Sequence, residues 1–281
     1  QMMNVLLPQG KVTREMVGRG AQVLARFHQQ ADTSDRIAAY GHPQAVAINT
    51  EENFQQTERY IGVTITVEQY QTIVTYTRNF LKEKAPLFLE RMAQGRVRDC
   101  HGDIHSEHVC LEDGIFIFDC IEFNERFRYC DVTAEIAFLA MDLDFHGHPE
   151  LSRHFVERYL AASGDPGVLP LLNFYKVYRA YVRGKVDSFE LDDPAVPQAE
   201  KDQAASLARR YFKLAHSYVG PPTLVVMTGL VGTGKTALAQ GLEERLGMWV
   251  LSADVVRKEL AGISPTEHRY EPFDRGIYSP D

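Results

Sequence analysis

Four cysteines among 281 residues are too few for a disulfide scaffold. They are Cys100, Cys110, Cys120 and Cys130, ten apart. No two fall within the two to four residues by which zinc sites usually pair their ligands. Reduced, mostly buried thiols and a cytoplasmic setting are therefore expected. Long apolar runs are missing too. None reaches the roughly 18–20 residues of a membrane span, and the start lacks the pattern of a signal peptide. Positive charge is in deficit: 30 Lys and Arg against 38 Asp and Glu give a formal charge of −8. That balance does not favour a nucleic-acid surface, although it excludes none locally. Disorder is excluded by what is present, 44% hydrophobic and 24% charged residues. The chain opens Gln1-Met2-Met3 and ends Ser279-Pro280-Asp281, which reads as a piece of something longer. Nothing in the sequence specifies an oligomeric state.

Apolar spacing predicts a helix over 13–31 with Thr13 as its N-cap. Thr66 and Gln69 fit a capping box ahead of a second helix. Pro86 opens another near 87–94. Residues 32–65 read as loop with short elements. Val109-Cys110-Leu111, Glu112-Asp113-Gly114 and Ile115-Phe116-Ile117-Phe118 read as a β-hairpin with an Asp-Gly turn. Helices are expected over 132–145, capped by Asp131, from Pro149 to about Ala162, and over 168–190 and 197–217. Gly220-Pro221-Pro222 marks a boundary. Behind it, Leu224-Val225-Val226-Met227 has the continuous apolar character of a strand buried in a parallel sheet. The expected domains are thus 1–218, mostly α, and 219–281, the start of an α/β domain.

The strongest motif follows that run. Gly229-Leu230-Val231-Gly232-Thr233-Gly234-Lys235-Thr236 is a full GxxxxGK[ST] pattern opening a helix. Gly229, Gly232, Thr233 and Gly234 would turn backbone N–H groups around phosphate oxygens. Lys235 would reach the β- and γ-phosphates of ATP, and the Thr236 hydroxyl would ligate Mg²⁺. Farther on, Trp249-Val250-Leu251 reads as a second strand running into Asp254 and Arg257. Asp254 would orient or deprotonate an acceptor hydroxyl and Arg257 hold an anionic substrate group; the plainer alternative is a helix cap and a surface charge. This stretch resembles small-molecule P-loop kinases of the gluconate and shikimate kinase type.

A second motif is His101-Gly102-Asp103-Ile104-His105-Ser106-Glu107-His108, with Phe118-Asp119 after the hairpin. By spacing alone, two carboxylates around a hairpin are a weak signal. The motif resembles the catalytic loop HGDxxxxN of the aminoglycoside phosphotransferase family, relatives of choline kinase and of protein kinases. The resemblance implies a mostly α kinase-like C-lobe with a small β-hairpin, followed by an α/β P-loop NTPase domain. It implies Asp103 as the base for a substrate hydroxyl, Asp119 as a ligand of the Mg²⁺ that bridges ATP phosphates, and His101 as a buttress. The metal-binding Asn of the family is His108 here, and imidazole suits transition metals better than Mg²⁺. Residues 1–100 offer no Gly-rich strand–turn–strand for a front β-lobe. The order of the two motifs matches bifunctional proteins in which a phosphotransferase-like domain is fused to a P-loop kinase domain. The expected function is an ATP-dependent phosphotransferase acting on a small hydroxylated molecule. The alternative is an inactive kinase-like binding or regulatory domain beside a P-loop ATPase. Arg179 and Arg183, four apart on one helix face, would on a functional reading point toward phosphates or the neighbouring domain; the preferred reading is an amphipathic helix with snorkelling basic residues. His146 and His148 read as ordinary C-terminal helix histidines.

Overall fold

The Thr13 hydroxyl accepts a hydrogen bond from Met16 N (3.2 Å), so the first long helix starts where its cap predicts. The computed structural model describes residues 1–112, 114–220, 224–230, 232–246 and 250–264. The chain divides into two units, Gln1–Pro222 and Thr223–Asp281. The first begins with α1 (Met3–Leu6), α2 (Arg14–Gln30), α3 (Asp35–Ala38), α4 (Pro43–Thr57), α5 (Val67–Glu83) and α6 (Ala85–Ala93). Strands β1 (Val97–Asp99), β2 (Val109–Leu111) and β3 (Ile115–Ile117) come next, then α7 (Glu125–Arg128) and β4 (Tyr129–Asp131). Helices α8 (Val132–Phe145), α9 (Pro149–Ser163), α10 (Leu169–Phe189) and α11 (Gln198–Ser217) close the unit. The Thr66–Gln69 capping box forms reciprocally at the start of α5. β2 and β3 pair antiparallel, Val109 opposite Ile117, as the hairpin reading requires. Asp113 of its turn lies outside the described residues.

Helix α8 organises this unit. Its sequence is apolar on every side, and every residue from Val132 to Leu143 is buried. Ile136, Leu139 and Leu143 pack with α2, α9 and the hairpin. Phe138 and Met141 pack with α5, α10 and α11, while Ala134 and Ala137 meet Phe88 and Phe174. Asp131 caps α8 by accepting from Thr133 N at 2.8 Å. The same carboxylate forms a two-point pair with buried Arg91 (2.7 and 2.8 Å), and Arg91 also binds Asp165 (2.6 Å). These side chains are only 2–4% exposed, so the charges neutralise one another away from water.

Two features depart from expectation in the first unit. Residues 32–65 hold a full helix, α4, rather than loop. Its buried face is Val46, Thr50, Asn53, Phe54 and Thr57, and three polar residues among five erase the apolar periodicity. A second small sheet also forms, β1 against β4, Val97 opposite Asp131. The four thiols are all free, but only Cys100 is buried; Cys120 is exposed.

The second unit contains α12 (Lys235–Leu246) and α13 (Ala253–Leu260). Here the expected strand over 224–227 is corrected. Among the described residues, 224–230 have no ladder partner, and Leu224 and Val226 are exposed. A strand is defined by a ladder to at least one neighbour, and the described residues of this unit supply none. Val250 and Leu251 likewise form no strand, and Trp249, Pro221 and Pro222 lie outside the described residues. No helix of the described residues is long and apolar enough to cross a membrane.

Arg91→Ala would leave Asp131 buried without its counter-charge and Asp165 with only the more distant Arg96 (3.5 Å). A loss of about 3–5 kcal/mol is expected, read as a lower urea midpoint at unchanged slope.

Candidate active site

Glu135 lies on α8, 0% exposed, and faces the loop that contains the His-Gly-Asp motif. His28 Nε2, from α2, donates to its Oε2 (2.9 Å), and His101 N donates to the same oxygen (3.2 Å). Gly102 N donates to Oε1. One turn pair farther along α8, Asp142 Oδ2 accepts from Ser106 N at 2.8 Å. Two carboxylates on one buried helix therefore grip the loop backbone at both ends. Burial opposes ionisation of Glu135, but the hydrogen bond and charge of His28, helped by Gly102 N, hold its carboxyl below the usual value. Gly102 sits at φ +90°, and a Cβ there would stand 2.8 Å from the Phe127 carbonyl oxygen. Only glycine fits that approach.

The loop so held brings together Asp103, His108 and Asp119. Asp103 is 35% exposed, and its Oδ2 stands 3.5 Å from both His105 Nε2 and His108 Nδ1. Burial raises its affinity for a proton, while His105 first, then Arg179 and His108, lower it further. The net result is a carboxyl below the ordinary range, ionised at neutral pH. His108 Nδ1 donates to the Asp103 carbonyl (2.8 Å), which turns Nε2 toward Asp119 Oδ2 at 3.4 Å. Asp119 is 74% exposed and sits at φ +65°, alone in that region among the described non-glycine residues. His101 ties the loop to the hairpin: its Nε2 donates to Phe118 O (2.8 Å) and its Nδ1 accepts from Asp103 N (3.3 Å). Beside the site, an apolar groove of about 330 Å³ is lined by Val23, Leu24, Phe27, Ile104 and Ile117. A more polar cleft of about 480 Å³ borders Asp119, Asp99 and Arg128.

Arg179 corrects the snorkelling expectation. It is buried, its Nε donates to Ala134 O (3.1 Å), and its guanidinium lies 4.7 Å from the centre of the Phe138 ring. Glu135, Asp142 and His28 escape motif reading altogether. The signal available for Glu135 and Asp142 is carboxylates set within a largely apolar helix run, since a buried charge needs a partner. His146 and His148 join no cluster of metal-ligating groups among the described residues.

In the second unit the phosphate-binding loop has Gly232 and Gly234 at φ +83° and +81°. Lys235 Nζ donates to the carbonyls of Gly229 (2.7 Å) and Leu230 (2.6 Å), and Thr236 is exposed at the start of α12. The Ser252 hydroxyl, not Asp254, caps α13 by accepting from Val255 N (3.4 Å). Asp254 pairs with Lys258 at 2.8 Å one turn on, and Arg257 is exposed.

The chain belongs to the phosphotransferase enzyme family, which it matches over residues 6–172. Residues 224–276 match the AAA domain family. The expected fusion of a phosphotransferase-like part with a P-loop part is therefore present. Uncharacterized proteins of Mycobacterium tuberculosis and Mycobacterium bovis are 34% identical over 260 residues, 92% of this chain and 51% of theirs. The chain thus spans about half the length of the curated relatives it matches. No solved structure gives a significant match.

Because Glu135 is held below its usual value of 4.5 in the folded state, its contribution is present above that pH and lost as pH falls through the folded value. Glu135→Gln is expected to be less stable than the parent by about 3–5 kcal/mol near pH 7. The gap should narrow below about pH 4.5, and urea unfolding at several pH values measures it.

Proposed function

We propose that the first unit transfers the γ-phosphoryl group of ATP to a hydroxyl of a small molecule. The observation that carries this reading is the convergence of Asp103, His108 and Asp119 on one loop fixed by buried carboxylates. In the step, the acceptor oxygen bonds to the γ-phosphorus and the bond to the β–γ bridging oxygen breaks, leaving ADP. The acceptor proton passes to the Asp103 carboxylate, already ionised and half open to solvent. The apolar groove beside the loop suits a purine base. On the other side, Asp187 of α10 is 6% exposed and its Oδ2 has no hydrogen-bond partner. Burial, then the nearby negative charges of Glu190 and Glu107, push its carboxyl up to about 6 against the pull of Arg183. An acceptor carrying hydrogen-bond donors would satisfy it.

The family implies Mg²⁺ as cofactor. Asp119 is a hard oxygen ligand and fits it; His108 is not and does not. A second reading, an inactive binding domain, is favoured by the same His108.

In the second unit, the reading is a separate nucleotide site. Gly229, Gly232, Thr233 and Gly234 would cradle the phosphates, with Lys235 moving from the loop carbonyls to the nucleotide. Thr236 would hold Mg²⁺ there. Asp254 would serve the acceptor and Arg257 an anionic group, once Lys258 yields its pairing with Asp254. The free thiols suit a reducing compartment such as the cytoplasm.

Lys235→Ala is expected to abolish ADP binding to the second unit by calorimetry; unchanged affinity refutes that site. In the Lys235→Ala background, Asp103→Asn should lower acceptor-dependent ADP release by at least about 10²-fold. Equal rates with and without Asp103 would favour the binding-domain reading.

A further inference from the structure

The gap between His108 and Asp119 is long for a tight hydrogen bond and also matches the span between two ligands of one ion. Nε2 and Oδ2 stand 3.4 Å apart, at ion-pair range and past the roughly 2.9–3.0 Å mode of an N–H···O bond. Two ligands each about 2.1 Å from one ion, at a tetrahedral angle, are separated by about 3.4 Å. The imidazole is set up for this. Its Nδ1–H is committed to the Asp103 carbonyl at 2.8 Å, which places the lone pair on Nε2, facing Asp119. A backbone carbonyl on the far nitrogen is the usual support of a metal-bound histidine.

Asp119 is also held for the purpose. Its φ of +65° is costly for a residue with a side chain. The residues around it are pinned: Phe118 N donates to His108 O (3.2 Å), Phe118 O accepts from His101 Nε2 (2.8 Å), and Ile121 N donates to His101 O (2.9 Å). The strained residue thus presents its carboxylate to the histidine. His108 is 16% exposed and Asp119 74%, so the pair is backed by protein and open in front. The remaining positions are left to water and to phosphate oxygens.

We propose that His108 Nε2 and Asp119 Oδ2 form a mixed imidazole–carboxylate site for a first-row transition ion such as Mn²⁺, Co²⁺ or Zn²⁺, in preference to Mg²⁺. Mg²⁺ takes oxygen ligands in a strict octahedron, whereas imidazole strengthens binding along the series from Mn²⁺ toward Zn²⁺. What the ion does during turnover rests on the phosphotransferase reading; its binding does not.

The test uses the full chain, stripped of metal, with neither nucleotide nor acceptor. MnCl₂ is added and pulsed electron paramagnetic resonance looks for ¹⁴N coupling on bound Mn²⁺. Coupling in the parent and its loss in His108→Asn are expected. Mg²⁺ should need at least about tenfold higher concentration to displace Mn²⁺ from the parent than from His108→Asn. Co²⁺ should bind the parent at least about tenfold more tightly than it binds His108→Asn, followed by visible absorption. Asp119→Asn changes an exposed side chain and should also lose the ion, which guards against a folding defect in the first variant. Circular dichroism melts verify both variants. Absent ¹⁴N coupling in the parent, coupling that persists in His108→Asn, or equal Mg²⁺ competition in both overturns the proposal. Failure of phosphoryl transfer would leave these spectra as they are.

Discussion

Glu135 is an ionised carboxylate with no exposure to water, and its stability rests on three donors arriving from two places in the chain. One is a side chain, His28 of α2; the other two are consecutive backbone N–H groups at the motif itself. A buried charge without such donors would cost several kcal/mol. With them, it fixes the distance between α2, α8 and the loop, and so fixes where Asp103 begins. The Tyr159 hydroxyl meets the other nitrogen of His28 at 2.9 Å, which extends the same chain of bonds into α9. The His-Gly-Asp loop is thus anchored to the core through electrostatics as well as through its buried Ile104.

Helix α8 makes that anchoring possible because it is surrounded. Three apolar clusters meet on it, and its first residue is preceded by Asp131, held by Arg91. Both ends of the helix are therefore fixed by buried charge: Asp131 and Arg91 at the start, Asp142 on the loop near the finish. Carboxylates placed on so rigid an element hold the loop in one position. Around Asp103 the charge pattern then follows. His105, Arg179 and His108 keep it ionised against its burial.

The second unit follows a different logic. Its motif is local, with glycines at positive φ leading into α12, so the loop takes shape without a described sheet beneath it. Lys235 satisfies its charge on the loop's own carbonyls. Asp254 likewise pairs within its own helix.

Elements with local causes were legible in the sequence: the Thr13 and Thr66 caps, the hairpin around Gly114, the start of α9 at Pro149, and the two motifs. Each is set by neighbours within a few residues. What escaped was non-local. The α4 helix hides because its buried face is largely polar, and Asn53 and Thr57 meet partners far along the chain, Lys185 and Tyr181. The β1–β4 pairing joins segments separated by a stretch that holds both loop and hairpin. At the site, sequence alone determined that His-Gly-Asp, His108 and a later Asp119 would share a loop and hairpin. Only the tertiary structure decided that Glu135 and Asp142 hold that loop, that Arg179 lies buried behind Asp103, and that His108 faces Asp119 across 3.4 Å. The physical reason is that a buried charge is stabilised by whichever donors the fold brings to it, and spacing along the chain carries no record of them.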